Sequence, residues 1–419
     1  MSSVSLDDCT RGVISSSGRH QWVPSPNTRG TFDIIWPCIS TLVLCLWTML
    51  HLNVPAPDDG YTTRFCRRLR WLFIGLLAPE IPMLFAFAQR ASAVRSIQDM
   101  AEIGHGDDWS IVHGFFADSG GFLLTAEDIG EPFPITNKQI VYLVRHGYIE
   151  IPRVTETQIN DKSKADNLGK ALAAFQAIRL LVILIARGAA GLHTTPFELA
   201  TAAVVFCSMV TLFLWRKKPL DVQAPVLINA PFAIGPLAAI SSGESRLTPL
   251  DFAEQDIYWS AKFSRRVEEY IIKWGLQARP FRRIPNDRDF QPSNFWENLS
   301  LAGPVCIFAA VHFCGWNLSF ATRLEGLLWR INCVITWGSL TIYGVSEMVG
   351  FWRADYKVAS LELFHSYKKR MPLSIIFHSL AGLYFMSRLC LVVEAIICLR
   401  DLPDEAFIQV EWTQWLPHF

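Results

Sequence analysis

The feature that most constrains the fold is the alternation of long apolar stretches, almost free of charge, with segments rich in Lys, Arg, Asp and Glu. Only 18% of the 419 residues are charged and 51% are hydrophobic, whereas soluble domains carry about 25% charged residues. About twenty apolar residues form a helix as long as the hydrocarbon core of a bilayer is thick. The sequence therefore predicts an all-α membrane fold, a helical bundle of about seven transmembrane helices with two polar loop regions.

The predicted spans differ in how clearly the sequence marks them. The fourth is strongly apolar, with Glu198 as its one charged residue, and is followed by Arg216-Lys217-Lys218, whereas the third contains Gln176 and Arg179. The second contains Pro79 and Pro82, which remove backbone donors and predict a kink. The seven predicted spans are 32–50, 71–88, 171–186, 197–215, 299–320, 326–345 and 372–399.

Polar segments of very different lengths separate the spans and define the predicted organisation of the chain. The segment after the second span is too long for a simple connector and predicts a small folded region. In chain order we predict a disordered polar tail (1–30), spans one and two (31–101), a polar subdomain (102–169), spans three and four (170–218), a polar cytoplasmic loop with an amphipathic helix (219–297), spans five and six (298–350), a basic loop (351–371), span seven (372–400) and a C-terminal tail (401–419).

The distribution of basic residues predicts an orientation. With the N-terminus in the cytoplasm and the C-terminus outside, the basic clusters at 216–218 and 368–370 face the cytoplasm, as the positive-inside rule requires. Four arginines between residues 64 and 70 violate this arrangement because they face outward. The predicted orientation depends on an odd number of crossings.

Among the polar residues of the predicted spans, Glu80 has the highest free-energy cost of insertion into the bilayer. A charged side chain in the centre of a span costs at least about 2.5 kcal/mol unless it is paired or hydrated. The prolines on either side leave nearby carbonyl groups open, as in the broken helices that bind ligands in transporters. Two interpretations stay open: Glu80 is an acid/base or ligand-binding group, or it forms a structural ion pair with Arg179 or Arg388.

Three further residues complete the candidate site. Arg179 and Arg388 are predicted to bind a ligand together with Glu80, and His312 is a candidate catalytic residue together with Glu80, since ionisable groups within spans are expensive. The cysteines and histidines do not have the spacing of a metal site, and nucleotide-binding motifs are absent, so we predict no metal and no cofactor. Lys+Arg and Asp+Glu balance at 38 each, which gives no reason to expect a nucleic-acid partner.

Several motifs distributed along the chain carry a resemblance. They are Arg29-Gly-Thr-Phe-Asp-Ile-Ile-Trp36, Ala78-Pro-Glu80, Trp109 with His113-Gly-Phe-Phe, Lys218-Pro-Leu-Asp221, Leu328-Trp-Arg330 and Trp412-Thr-Gln-Trp-Leu-Pro-His418. From residue 29 onward the chain resembles a family of uncharacterised fungal multi-pass integral membrane proteins. The resemblance implies a fungal source and a membrane location, and it transfers neither an activity nor catalytic residues.

Three classes of function are compatible with these features. The first is an integral membrane protein that binds or converts an apolar small molecule or lipid within the bilayer. The alternatives are a transporter or channel-like protein that uses the same intramembrane charges, and a non-catalytic membrane scaffold. Transporters often contain internal repeats, and this sequence contains none, which favours the first class. The expected partner is the lipid bilayer, of the endoplasmic reticulum or the plasma membrane, and whether the protein is an enzyme stays open.

Overall fold

A computed structural model describes residues 19–20, 22, 29–162, 167–222, 224–234, 236, 250, 253, 283–286, 295–355 and 371–410. Most of the predicted disordered tail, the amphipathic helix after residue 219 and most of the basic loop before residue 371 lie outside these residues. Within them the chain is mainly helical, in agreement with the predicted fold class. The helices are α1 (Thr31–Met49), α2 (Tyr61–Leu77), α3 (Glu80–Glu102), α4 (Ile111–Asp118), α5 (Asn137–Arg145), α6 (Glu156–Asp161), α7 (Asn167–Ala189), α8 (Pro196–Leu214), α9 (Phe295–Phe313), α10 (Arg323–Asp355) and α11 (Met371–Ile397).

Short strands form two small sheets that the sequence analysis did not predict. The strands are β1 (Arg19–His20), β2 (Phe122–Ala126), β3 (Ile129–Pro134), β4 (Val226–Asn229) and β5 (Leu402–Pro403). In the larger sheet β2 lies between antiparallel β3 and parallel β4. This sheet and α4, α5 and α6 share one hydrophobic core, which we call the α/β unit. Its buried residues include Trp109, Phe116, Phe122, Ile140 and Ile234.

The other long helices form a bundle, and four segments in it are long and apolar enough to cross a membrane. The number is five if the bent pair of α2 and α3 is taken as one span, so the predicted seven spans are not confirmed. The apolar part of α9, Ala302–Phe313, is short. The four segments are Thr31–Met49, Leu168–Ala189, Pro196–Leu214 and Ser379–Arg400.

The predicted second span is two helices rather than one kinked helix. α2 and α3 meet at an angle of 109°, because Pro79 lies at the junction and cannot donate a backbone hydrogen bond. Both outer ends of the pair lie at the α/β unit: Arg68 of α2 pairs with Asp221 at 2.9 Å, and Glu102 of α3 with Arg145 at 3.4 Å. The pair therefore enters the bundle and returns to the same end.

The segments before α1 and after α11 lie side by side. β1 pairs with β5, and the backbone N–H of Arg29 donates to the carbonyl of Phe407 at 3.2 Å. We call this end of the bundle the terminal end, and the opposite end, where the α/β unit lies, the α/β end. The segments that flank the bundle therefore lie at the same end of it, which differs from the predicted arrangement with the two termini on opposite sides.

Candidate functional site

The break between α2 and α3 leaves two helix ends inside the bundle, and α11 supplies a partner to each. The guanidinium Nε of Arg388 donates to the Leu77 carbonyl, the last residue of α2, at 2.8 Å. Glu80 is the first residue of α3 and accepts a hydrogen bond from the hydroxyl of Tyr384. A cation at a helix C-terminus and an anion at an N-terminus are both favoured by the helix dipole. The two charges therefore stabilise the broken pair.

Glu80 is completely enclosed by protein. Only 1% of the residue is exposed, and Arg388 is the positive charge that interacts with its carboxyl group. Tyr384 and Arg388 lie one turn apart on α11, so both reach the same junction. The second carboxyl oxygen, Oε2, has no hydrogen-bond partner among the described residues.

Arg388 also binds His312 of α9. Its Nη1 lies 2.7 Å from His312 Nε2, and since arginine can only donate, the imidazole nitrogen must accept. The other ring nitrogen, Nδ1, lies 3.0 Å from the Phe308 carbonyl and donates to it. His312 is therefore a neutral imidazole with the proton on Nδ1, and the Phe308 ring packs 4.8 Å from the guanidinium carbon of Arg388.

The structure thus brings together three of the four predicted site residues. Glu80, Arg388 and His312, with Tyr384, form a buried set of side chains from α3, α9 and α11, which we call the junction network. Two surface cavities, of about 320 and 390 Å³, are lined by other residues and by no member of this network. The arrangement can hold helices together, and it borders neither of these cavities.

Arg179 lies elsewhere, which corrects the expectation that it pairs with Glu80. It is exposed on α7, whose inward face consists of smaller residues such as Ala173 and Ala177. Arg179 lines both surface cavities, of about 320 and 390 Å³, and Ile183 lies between them. We call the surface along α7 that contains both cavities, the first of them bounded also by α1, the groove.

The groove has a polar end and an apolar wall. Near the terminal end it is bounded by Arg29, Asp33 and Glu198, together with Phe32 and Trp36 of α1. Farther along α7 its wall consists of exposed apolar side chains. These are Phe175, Ile178 and Val182, and the half-buried Ile183 completes the wall.

A second buried polar cluster was missed because its lysine was assigned to the basic cluster at 216–218 that was predicted to face the cytoplasm. Lys218, just after α8, is 3% exposed. Its Nζ donates to the side-chain oxygens of Asn53 at 2.9 Å and Gln89 at 2.8 Å, and it lies 4.7 Å from the Trp215 ring. Burial lowers the pKa of Lys218 to about 7, and the charge of Asp118 partly opposes this shift. The cluster joins the end of α8 to α3 and to the α1–α2 connection.

Tyr384 is the functional neighbour of Glu80 that the sequence analysis missed. It lies four residues before Arg388 in a predicted span, so the two share a helix face. A search for polar residues one turn from each intramembrane charge would have found it.

Comparison with known proteins identifies one match. A family model, described as a family of unknown function (DUF8562), matches residues 9–242. The matched region is more than half of the chain and contains Glu80, Arg179 and Lys218, whereas His312, Tyr384 and Arg388 lie beyond it. No curated protein and no solved structure matches the chain.

Proposed function

We propose that this chain, which belongs to the DUF8562 family of unknown function, is a multi-pass integral membrane protein that binds an apolar small molecule or a lipid within the bilayer. The observation that carries the proposal is the groove. It combines an open apolar wall with a charged residue, Arg179, that has no partner among the described residues. A fungal source, implied by the resemblance above, is part of the same proposal.

The distribution of apolar residues supports insertion into a membrane. Helices of the bundle expose large apolar side chains along their outer faces and bury polar ones, the reverse of a soluble protein. Soluble monomers rarely expose extended apolar surfaces. The outward residues include Val43 and Trp47 of α1, Ile178 and Ile185 of α7, Val334 and Trp337 of α10, and Met386 and Val393 of α11.

The orientation follows from the bent pair. In the proposed topology α1, α7, α8, α9, α10 and α11 cross the bilayer, and α2 and α3 form a re-entrant hairpin that starts and ends at the α/β end. The arginines between residues 64 and 70 then lie on the same side as Arg216 and Lys217. By the positive-inside rule the α/β end is cytoplasmic, and the terminal end, where Arg29 contacts Phe407, lies on the opposite side. Six crossings remove the violation that seven crossings required.

The groove fits the proposed ligand better than the junction network does. Glu80, His312 and Arg388 interact with one another and with backbone carbonyls, so a ligand would have to displace existing bonds. The groove is open along α7, where apolar side chains face the surrounding bilayer in the proposed topology. An apolar ligand could therefore enter from the membrane without rearrangement of the bundle.

Photo-crosslinking in lipid nanodiscs tests the proposal. A phospholipid and a diacylglycerol, each with the same diazirine on an acyl chain, would be incorporated with the full chain, and adducts mapped by mass spectrometry. We expect adducts on the peptide that contains residues 175–183, strongly reduced in Ile183→Trp, where the indole fills the groove. Val334→Trp, on an exposed face of α10, is the matched control. Equal labelling of all outward helix faces, unaffected by Ile183→Trp, would contradict a specific site.

A transporter is the second candidate, and one observation favours it. Broken helices with a charged residue at the break bind ions or substrates in known transporter folds, and Glu80 Oε2 is unpartnered among the described residues. This candidate predicts a proton or ion flux in proteoliposomes that Glu80→Gln abolishes while the folded protein persists. If the proteoliposomes show no flux, or if the flux is unchanged in Glu80→Gln, the transporter function is excluded.

A further inference from the structure

We infer that the groove binds the phosphate of a phospholipid from the leaflet at the terminal end, with Arg179 contacting the phosphate and the apolar face of α7 contacting an acyl chain. The inference rests on the proposed function and deepens it by assigning a ligand class. It follows from the charges, the depth and the shape of the groove.

The charged residues that line the groove are satisfied within the protein, with one exception. Arg29 pairs with Glu198, and its Nη1 donates to the Ala406 carbonyl at 3.0 Å. The other oxygen of Glu198 accepts from the Thr195 hydroxyl at 3.0 Å, and Asp33 accepts from the backbone N–H of Gly30. Arg179 has neither a hydrogen bond nor an ion pair with any described residue. The unpaired charge of the groove is therefore positive, and its complement is an anion.

The depth of Arg179 matches the position of lipid phosphates. Across the groove it faces the first two turns of α1, where Phe32 and Trp36 are more than half exposed and stack with ring centroids 5.9 Å apart. Exposed aromatic rings at a helix end are typical of the membrane–water interface. Arginine side chains in spans extend toward that interface, so in the inferred binding mode the guanidinium of Arg179 extends along the groove toward Phe32, Trp36 and the phosphate.

The shape of the groove accommodates a lipid acyl chain beside Arg179. Phe175 and Ile178 precede Arg179 on α7, toward the α/β end, and line the cavity of about 390 Å³ together with Val182 and Ile183. An anionic group above an apolar strip is the pattern of a phospholipid. A free phosphate ion would use Arg179 and leave the apolar wall unoccupied.

Arginine suits this ligand chemically. Its planar guanidinium can donate two parallel hydrogen bonds to phosphate oxygens, which a point charge cannot do equally well. A charge-assisted hydrogen bond contributes enough to change an affinity by about tenfold or more. Discrimination between a phospholipid and a lipid without phosphate is therefore measurable.

The test compares two probes with the same photoreactive acyl chain, phosphatidic acid and diacylglycerol, on the full chain in nanodiscs. We expect phosphatidic acid to label residues 175–183 at least about tenfold more efficiently than diacylglycerol. Arg179→Gln should remove this preference and Arg179→Lys should retain part of it. Arg330→Gln, which changes a cation bound to the Trp316 carbonyl outside the groove, should leave it unchanged.

The outcomes separate the inference from the proposed function. Equal labelling by both probes in the wild type, or a preference that survives Arg179→Gln, overturns the phosphate assignment while lipid binding stands. Loss of phosphatidic acid labelling upon addition of inorganic phosphate would identify a free-anion site and also overturn the inference. If neither probe labels the groove, the proposed function fails together with it.

Discussion

The junction network and the groove both place charged side chains within the bundle, but the charges find their partners in opposite ways. In the junction network Arg388 contacts a helix end and a histidine, and Tyr384 contacts Glu80, so the charges find partners inside the chain. In the groove Arg179 has no partner among the described residues and faces outward. The comparison teaches that an ionisable residue in a span indicates a ligand only when its partner is missing from the protein. The two regions should therefore respond differently to mutation.

Arg388→Met should have the largest effect. It leaves the Leu77 carbonyl, His312 and Glu80 without their shared partner, and removal of one member of a buried charged set costs about 3–5 kcal/mol. We expect loss of the monodisperse folded protein, measured by fluorescence-detected size exclusion and thermal unfolding in detergent. Glu80→Gln combined with Arg388→Met should recover part of the loss. If Arg388→Met alone were as stable as the wild type, the junction network would not be structural and its contrast with the groove would be lost.

The pH dependence of stability should report the Lys218 cluster. Because the pKa of Lys218 falls to about 7 in the folded protein, the unfolded chain binds one more proton between about pH 7 and the ordinary pKa of lysine. Stability should therefore rise with pH in this window, by at most about 1.4 kcal/mol per unit, and be flat just below it. Thermal unfolding between pH 6 and 9, values chosen about this pKa, measures the slope. Lys218→Met should abolish it, and a slope unchanged in that variant would refute the assignment.

Tyr384→Phe should have a moderate effect. It removes the hydrogen bond to Glu80 while preserving the ring, and a hydrogen bond to a charged group contributes about 1.5–3 kcal/mol. We expect a lower thermal unfolding temperature and unchanged lipid labelling of the groove. Tyr61→Phe, at the exposed start of α2, is the matched control. A fall in lipid labelling would mean that the two regions are not independent.

Arg179→Leu should have the smallest effect on stability, within about 0.5 kcal/mol, as is usual for exposed positions. In a bilayer the substitution replaces an expensive side chain with an apolar one. The unfolding temperature of the lipid-free protein should therefore stay the same or rise. A destabilisation as large as that of Arg388→Met would show that Arg179 has a structural role, and the contrast between the two regions would be lost.

The apolar pattern of the sequence predicts the helical bundle well because hydropathy depends on local composition. α1 and α8 begin and end within a few residues of the predicted first and fourth spans. The prolines around Glu80 indicate an interruption, but the position of both outer ends of the pair at the α/β end depends on non-local contacts, of Arg68 in α2 with Asp221 and of Glu102 in α3 with Arg145. The parallel pairing of β2 with β4 is equally non-local.

The candidate site was half predictable for a related reason. The free-energy cost of a charged side chain within a span singles out Glu80, Arg179 and Arg388. That cost does not tell which of them faces the interior of the bundle. On α7 the signal was present: Arg179 shares its face with bulky Phe175 and Val182, whereas Ala173 and Ala177 form the face that packs. A helix face of small residues marks the interior of a membrane bundle. Because Arg179 lies on a different face of α7 from Ala173 and Ala177, the sequence could have predicted that it faces outward.

The most direct test of the contrast is an experimental density map of the full chain in lipid nanodiscs at a resolution that distinguishes side chains. The account predicts non-protein density with the shape of a lipid headgroup and chain in the groove beside Arg179. It also predicts continuous side-chain density from Glu80 to Tyr384 and from Arg388 to His312. An empty groove, together with a ligand or ion density between Glu80 and Arg388, would contradict it.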